Sequence, residues 1–352
     1  MADNSRSVLL LFSSSEIGGA ERSLGNMAMS NSDKSLTYQI ATFGSIGPLT
    51  QWVKNNSKEC YYFQYKVIPL LKHIDSYKPD IIYVIGFRLS VLLRFYCKFF
   101  SKSLIIQGVR WSPGSKSKLD ISFRFFERFF SFMLDGFIVN SQSTKNILNS
   151  LSNTPVKVIY NGVSIQHNQF KDLSKKNYVI TLANLSKRKG HKEYLKVIQS
   201  IVKEFPDAQF LFLGYDNLNG QIQKLIIDMN LEANVKYLGF QENVKDFLNK
   251  SSIFVLPSLY GEGCPTSILE AFSYQLPVVA NSIDGIPELI SHNIDGILTN
   301  VTLSASIENA IKDLLLDPDK ARKMGQSGYK KVNKHFLLRN MIEKHNSFFK
   351  GL

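Results

Sequence analysis

Cysteine is scarce in this sequence. Its three cysteines, Cys60, Cys97 and Cys264, are odd in number and show no CxxC spacing. This argues against a disulfide framework or a zinc site, both of which need paired or clustered cysteines. We therefore expect a protein of a reducing compartment, the cytoplasm.

Long apolar runs are also missing. The N-terminal run 8–12 has the length of a β-strand and is too short for the apolar core of a secretory signal. The most apolar longer stretch, 81–100, is interrupted by Arg88, Arg94 and Lys98, whereas a membrane-spanning helix needs about 20 predominantly apolar residues. We expect no transmembrane segment. The G-x-G-x-x-G fingerprint is absent as well, which argues against a nicotinamide-dependent oxidoreductase.

Positive charge is present in excess and is unevenly distributed. The 352 residues carry a formal net charge of +13, and residues 86–132 contain nine lysines and arginines against two acidic residues. The cations are Arg88, Arg94, Lys98, Lys102, Arg110, Lys116, Lys118, Arg124 and Arg128, and the acids are Asp120 and Glu127. The interleaved aromatic residues include Phe95, Tyr96, Phe99, Phe100, Trp111, Phe123, Phe125, Phe126, Phe129, Phe130 and Phe132.

This basic and aromatic segment has three interpretations. Cations mixed with aromatic side chains are typical of a surface that binds an anionic bilayer. A basic patch also attracts nucleic acid, but no helix-turn-helix, zinc-finger or RNA-binding motif accompanies it, so we expect no nucleic-acid partner. In the third interpretation the aromatic side chains form core and the cations are merely solvated.

Strand-like apolar runs alternate with helix-sized segments along the whole chain. Six such runs precede residue 164 and six follow it. This alternation predicts parallel sheets of βαβ units, and the length suits two domains rather than one core. We predict an α/β protein of two Rossmann-like, doubly wound parallel-sheet domains. The polar stretch 164–177 sets the boundary, which gives domains 1–165 and 166–334, with a C-terminal helix in 335–352 completing the first domain.

The stretch GEGCPTSILEAF, residues 261–272, directly follows the strand-like run SIFVLPS. In open α/β sheets, ligands bind beyond the carboxyl ends of the strands. Pro265 suits the first turn of a helix, whose N-terminal amides would attract an anion. Glu262 and Glu270 would flank that anion, which indicates acceptors for the hydroxyl groups of a ribose and of a sugar. The spacing alone also fits two ordinary helix residues.

The wider stretch PSLYGEGCPTSILEAFSYQLPVVANSIDGIPELI resembles the donor-binding signature of the retaining glycosyltransferases of family 4, the group 1 glycosyltransferases. The matching positions are Ser258, Glu262, Gly263, Pro265, Glu270, Pro277, Gly285, Pro287 and Glu288. The resemblance implies the GT-B fold, in which two Rossmann-like domains face each other across a cleft. It covers nearly the whole chain, with weaker motifs in the first half.

Other motifs of this family follow in the same order. SEIGGAERSL, residues 15–24, resembles its glycine loop, where Gly18 and Gly19 would let the backbone approach the donor phosphate or the acceptor. YNGV, residues 160–163, resembles the segment before the domain crossover. ANLSKRKGHKEYL, residues 183–195, resembles the loop that holds the donor diphosphate. LGF, residues 238–240, resembles the turn that packs against the nucleobase.

The resemblance implies a role for each candidate residue. Glu262 would hold the transferred sugar, Lys189 the leaving diphosphate and Glu270 the ribose hydroxyls. Arg110 stands where the family often has an acceptor-side histidine, and Asn184 stands near the position of a frequent arginine. The predicted catalytic residues are Glu262, Lys189 and Arg110, and the predicted donor-binding residues are Glu270, Gly263, Cys264, Pro265, Thr266, Ser267, Arg188, Asn184, Phe240, Gly18 and Gly19.

The implied activity is that of a retaining hexosyltransferase of polysaccharide or O-antigen biosynthesis that needs neither a metal nor a cofactor. It would use a nucleoside-diphosphate sugar, with UDP favoured, and a lipid-linked or cell-surface glycan acceptor such as a polyprenyl-linked one. Its expected location is the cytoplasm and the inner face of the plasma membrane. The alternatives are a catalytically degenerate protein of this fold and a sugar-nucleotide epimerase. The sequence leaves donor sugar, acceptor linkage and oligomeric state open.

Overall fold

The computed structural model describes residues 5–115, 117–165 and 178–352. The chain divides into two compact units, Met1–Gly162 with Leu338–Leu352, and Val163–Leu337. Most of the predicted boundary stretch, residues 166–177, lies outside the described residues, as does Lys116.

The first unit is built on a parallel seven-stranded sheet in the order β3-β2-β1-β4-β5-β6-β7. Its strands are β1 (Arg6–Phe12), β2 (Leu36–Thr42), β3 (Cys60–Tyr62), β4 (Ile81–Ile85), β5 (Leu104–Val109), β6 (Gly136–Val139) and β7 (Val156–Val158). Its helices are α1 (Gly19–Met29), α2 (Pro48–Asn55), α3 (Val67–Tyr77), α4 (Phe87–Phe100), α5 (Lys118–Phe130) and α6 (Gln142–Asn149), joined by the C-terminal helix Leu338–Lys350.

Helices cover both faces of this sheet, which is why its central strands are continuously apolar. Every residue of β4 is buried. Alternate residues of β1 belong to two separate core clusters, Val8 and Leu10 on one face and Leu9 and Leu11 on the other. Such two-sided burial is the reason that parallel strands read as hydrophobic runs in a sequence.

The second unit contains a parallel six-stranded sheet in the order β10-β9-β8-β11-β12-β13. Its strands are β8 (Tyr178–Leu182), β9 (Gln209–Leu213), β10 (Val235–Tyr237), β11 (Ile253–Leu256), β12 (Val278–Asn281) and β13 (Gly296–Thr299). Its helices are α7 (His191–Glu204), α8 (Gln221–Asp228), α9 (Lys245–Lys250), α10 (Thr266–Ser273), α11 (Ser304–Leu316) and α12 (Pro318–His335), so the C-terminal helix is α13. Short 3-10 turns occupy Lys187–Lys189 and Ile286–Glu288.

The predicted α/β class with two parallel sheets is confirmed. All twelve predicted strand runs form strands, and β3 is an additional strand that the sequence did not reveal. β3 has three residues, two of them exposed, because it lies at the edge of the sheet. In the second sheet the chain order reverses between β8 and β11, and such a switch point is where an open α/β sheet forms its ligand crevice.

Among the described residues, no helix has both the length and the apolar character that crossing a bilayer would require.

Candidate active site

The loops after β8 and β11 meet at the switch point of the second sheet. The first carries the turn Lys187–Lys189 and the second carries residues 257–265. The two loops are joined by a backbone hydrogen bond in which the amide of Leu259 donates to the carbonyl of Arg188 over 2.7 Å. Two stretches predicted separately, the basic loop and the donor-binding signature, therefore form one site.

Glu262 lies at the centre of this site. One of its carboxylate oxygens, Oε1, accepts hydrogen bonds from Lys189 Nζ at 2.5 Å and from Ser258 Oγ at 2.6 Å. Arg188 Nη1 lies 3.4 Å from the same oxygen and donates to the carbonyl of Gly261 at 3.2 Å. The Glu262 side chain is 6% exposed and the Lys189 side chain 12%, whereas Arg188 remains 41% exposed.

The charges in this cluster support one another. Burial alone would raise the pKa of Glu262, but the charges of Lys189 and Arg188, with the hydrogen bonds from Lys189 and Ser258, outweigh it and hold that pKa below its usual range. Burial lowers the pKa of Lys189, and Glu262 opposes this. Because Glu262 is ionised, two cations face one carboxylate, and one positive charge is in excess. A net positive, partly desolvated cluster suits an anion.

A second layer of hydrogen bonds fixes the Glu262 loop. Asp284 Oδ2 accepts from the amides of Gly261 and Glu262 at 2.7 and 3.1 Å. Asn281 Nδ2 donates to the carbonyl of Ser258 at 3.1 Å and is itself held by Thr299. The site is therefore preorganised by β12 and β13 as well as by its own loops.

Gly190 permits the close approach of the two loops. Its φ is +71°, and a Cβ there would lie 2.2 Å from the carbonyl oxygen of Pro257.

Gly220 also has a positive φ, +80°, but nothing lies within 4 Å of its Cβ position. We expect Gly220→Ala to lower the free energy of unfolding by about 1–2 kcal/mol, the cost of left-handed backbone, and Gly190→Ala by at least about 3 kcal/mol because overpacking is added. Urea denaturation of both variants checks this, and equal losses would contradict it.

Helix α10 begins four residues after Glu262. Pro265 occupies its N-cap position, one residue earlier than predicted, and Thr266 and Ser267 are its first two residues, both half-buried. Cys264 is 3% exposed and contributes to the core, and Gly263 lies in the loop before it. Glu270 is the fifth residue of the helix and half-buried. The N-terminal amides of α10 thus follow the charged cluster directly in the chain.

The loop after β8 also contacts the loop after β9, which in turn contacts the loop after β10. Asn184 Oδ1 accepts from the amide of Tyr215 at 3.1 Å. The Tyr215 ring stacks on Phe240, with ring centroids 4.3 Å apart and an angle of 9° between planes. The amide of Gly214 donates to the carbonyl of Gly239 at 2.9 Å. Asn184 therefore orients the loop that carries an aromatic platform.

His191 is structural. It is the first residue of α7, 1% exposed, with its ring 5.2 Å from that of Phe212. Burial and, to a lesser degree, the charge of Lys189 lower its pKa to about 4, so it is neutral at physiological pH.

Arg110, Gly18 and Gly19 belong to the first unit. Arg110 follows β5, and its Nη2 donates to Asn161 Oδ1 at 2.9 Å, while its buried Nε and Nη1 have no hydrogen-bond partner among the described residues.

Gly18 is the N-cap of α1, and its amide donates to Glu21 Oε2 at 3.0 Å. Burial raises the pKa of Glu21, against the hydrogen bond from Gly18 and the charge of Arg110.

Several residues of these sites were missed in the sequence. Asp284 and Tyr215 hold loops of the second unit, and Glu21 occupies the Gly18 amide in the first. Tyr215 could have been found, since it directly follows the run AQFLFLG, which becomes β9. Asp284 has a positive φ of 47°, which is unusual for a non-glycine residue, and sequence gives no sign of this.

Within the described ranges, no group of three or more His, Cys, Asp and Glu side chains is arranged to hold a metal ion.

Two family models match the chain. The model described as Glycosyltransferase Family 4 matches residues 17–167, and the model described as Glycosyl transferases group 1 matches residues 164–331. The structure of Anabaena HepE in complex with UDP-glucose is similar in fold, with a TM-score of 0.85 at 21% identity over 99% of this chain and 100% of that chain. The chain belongs to the group 1 glycosyltransferases and has the GT-B fold, which confirms the predicted family.

Two curated relatives match this chain over only part of their own length. An uncharacterised glycosyltransferase of Methanocaldococcus jannaschii is 29% identical over 239 residues, 60% of this chain and 57% of the relative. The second, from Escherichia coli, is a UDP-Gal:α-D-GlcNAc-diphosphoundecaprenol α-1,3-galactosyltransferase, 25% identical over 266 residues, 70% of this chain and 68% of the relative. The matched part of the chain thus spans between half and about two thirds of these relatives.

Proposed function

We propose that the protein is a retaining hexosyltransferase that moves a sugar from a nucleoside-diphosphate sugar to a lipid-linked glycan. The observation that carries this proposal is the cluster of Lys189, Arg188 and Glu262 at the switch point of the second sheet, four residues before helix α10. Its excess positive charge and the α10 amides favour a diphosphate, and its buried carboxylate favours hydroxyl groups beside it.

The parts of the donor have distinct sites in this proposal. Lys189, Arg188 and the amides of Thr266 and Ser267 hold the diphosphate. Glu262 accepts from hydroxyls of the sugar and keeps Lys189 in place. Glu270 accepts from the ribose. The residue 238–240 turn, with Phe240 stacked on Tyr215, lies against the base.

In the reaction, the bond between the anomeric carbon and the diphosphate oxygen breaks, and a bond from the acceptor hydroxyl oxygen to the same carbon forms. The acceptor proton passes to the departing phosphate oxygen. Negative charge that accumulates on the diphosphate is stabilised by Lys189 and by the helix amides, which are preorganised before the reaction begins. Attack on the face that the leaving group vacates retains the anomeric configuration. Because positive protein groups stabilise the leaving diphosphate, the proposal includes no metal and no cofactor.

The donor base and the acceptor are inferred from a relative rather than from the geometry of the site. The E. coli relative is named for a UDP-sugar and for a diphosphoundecaprenol-linked acceptor, which favours UDP and a polyprenyl-linked glycan here. An acceptor of this kind would place the reaction at the inner face of the plasma membrane.

Turnover distinguishes this function from its alternatives. The protein is incubated with a UDP-sugar and a polyprenyl-diphosphate glycan, and free UDP and the elongated lipid are quantified. We expect both in equal amounts. An altered sugar that stays attached to UDP would indicate an epimerase, and UDP-sugar binding without release of UDP would indicate a degenerate transferase.

Glu270→Ala tests the ribose site separately. Since Glu270 would accept from ribose hydroxyls, its loss should weaken UDP binding by about 10–100-fold, the range for hydrogen bonds to a charged group. Calorimetric titration measures this, with the exposed Glu242→Ala of the same unit as the matched control. If both variants bound UDP like the unmodified protein, the assignment of Glu270 would be wrong.

A further inference from the structure

The outer face of helices α4 and α5 exposes large apolar side chains. Phe99, Phe100 and Phe132 are 71%, 77% and 69% exposed. The remaining exposed apolar residues of this face are Leu92, Phe95, Leu119, Ile121, Phe125 and Phe129. We call this set, with the exposed cations of the same segment, the α4–α5 face. Core packing does not account for these side chains, although Phe123 is fully buried as the core interpretation predicts.

The exposed charges that this segment contributes have one sign. Among the described residues of 86–132, the exposed cations are Arg88, Lys98, Lys102, Lys118 and Arg128. Both carboxylates of the segment point inward. Asp120 accepts hydrogen bonds from Trp111 and Ser115, and Glu127 is fully buried. The α4–α5 face therefore combines cations with aromatic rings and exposes no carboxylate of its own segment.

A buried ion pair holds the two helices together. Arg94 of α4 donates from Nη1 and Nη2 to the two carboxylate oxygens of Glu127 of α5, both at 3.0 Å, and neither side chain is exposed. The Arg94 guanidinium also lies 5.0 Å from the centroid of the Phe126 ring. Arg94, which the charge count placed in the basic segment, is therefore an interior residue. The exposed pattern is fixed by the fold rather than formed on binding.

We propose that the α4–α5 face docks on the surface of an anionic lipid bilayer. Exposed phenylalanines enter the boundary between headgroups and acyl chains, while the lysines and arginines around them contact lipid phosphates. Nucleic acid would engage the cations and leave the apolar side chains exposed, and a bilayer accounts for both. This extends the proposed function but does not rest on it, because vesicle binding and sugar transfer are measured separately.

The apolar half of the proposal is tested with vesicles of phosphatidylcholine alone or mixed with phosphatidylglycerol. The full chain should sediment with the anionic vesicles and not with the neutral ones. Phe125→Ser/Phe129→Ser should weaken this binding at least about tenfold, since two inserted rings are lost. Ile227→Ser/Leu316→Ser, which changes two exposed apolar residues of the second unit, is the matched control and should bind normally.

The charged half is tested with Lys98→Glu/Arg128→Glu against Lys323→Glu in the second unit. The first variant should bind anionic vesicles at least about tenfold more weakly, and added salt should weaken binding of the unmodified chain. An unchanged melting temperature shows that each variant is folded. Equal binding to neutral and anionic vesicles, no binding, or normal binding by both face variants would overturn the proposal. One further result would also overturn it: the unmodified protein forms a dimer and does not bind vesicles, and Phe125→Ser/Phe129→Ser dissociates that dimer.

Discussion

Lys189→Ala is expected to lower kcat for sugar transfer by about 10²–10³-fold, the loss typical when one preorganised group that stabilises transition-state charge is removed. Lys189 is only 12% exposed, so its charge acts in a poorly solvated environment. The diphosphate gains negative charge as the sugar departs. The measurement is steady-state release of UDP in the presence of acceptor.

Lys187→Ala is the matched control for this variant. Lys187 lies in the same 3-10 turn but is exposed, and its removal should change kcat less than about twofold because a solvated cation contributes little. If both variants were as active as the unmodified protein, Lys189 would not stabilise the leaving diphosphate. If both were equally impaired, the whole basic turn rather than the buried cation would be responsible.

Glu262→Gln is expected to lower kcat by about 10²-fold and to change its dependence on pH. Burial lowers the pKa of Lys189 and Glu262 opposes it, so the variant loses the opposing charge and the pKa of Lys189 falls further. Lys189 then loses its proton at a lower pH. The alkaline limb of the kcat profile should therefore shift towards lower pH in the variant.

The pH profile separates this effect from a loss of folding. Glutamine keeps an oxygen that can accept from Ser258, so the loop retains that hydrogen bond. Glu242→Gln, an exposed acid of the same unit, should leave both kcat and the profile unchanged. A Glu262→Gln variant with reduced kcat and an unshifted alkaline limb would show that Glu262 acts on the sugar alone and does not support Lys189.

The fold was predictable because the central strands are buried on both faces and therefore appear in the sequence as apolar runs. The edge strand β3 was not, since only three residues form it and two of them are exposed. The sequence also did not show which charged residues of the basic segment are buried. Arg94 and Glu127 are ordinary charged residues in the sequence, and only the packing of α4 on α5 shows that they pair in the interior.

The sequence singled out residues of the candidate cluster but not the contacts between them. Lys189 and Glu262 are 73 positions apart, and they meet because β8 and β11 are neighbours in the sheet. The resemblance singled out both residues, but their ion pair depends on strand order, which spacing does not encode. The support from Asp284 is likewise a property of the folded loops.

The most direct test of the donor site is a calorimetric titration of the unmodified protein with UDP, GDP, ADP and NAD. We expect one nucleoside diphosphate to bind with a dissociation constant of about micromolar order and NAD not to bind. Binding of NAD alone, or of none of the four, would contradict a nucleoside-diphosphate-sugar site at Lys189 and Glu262.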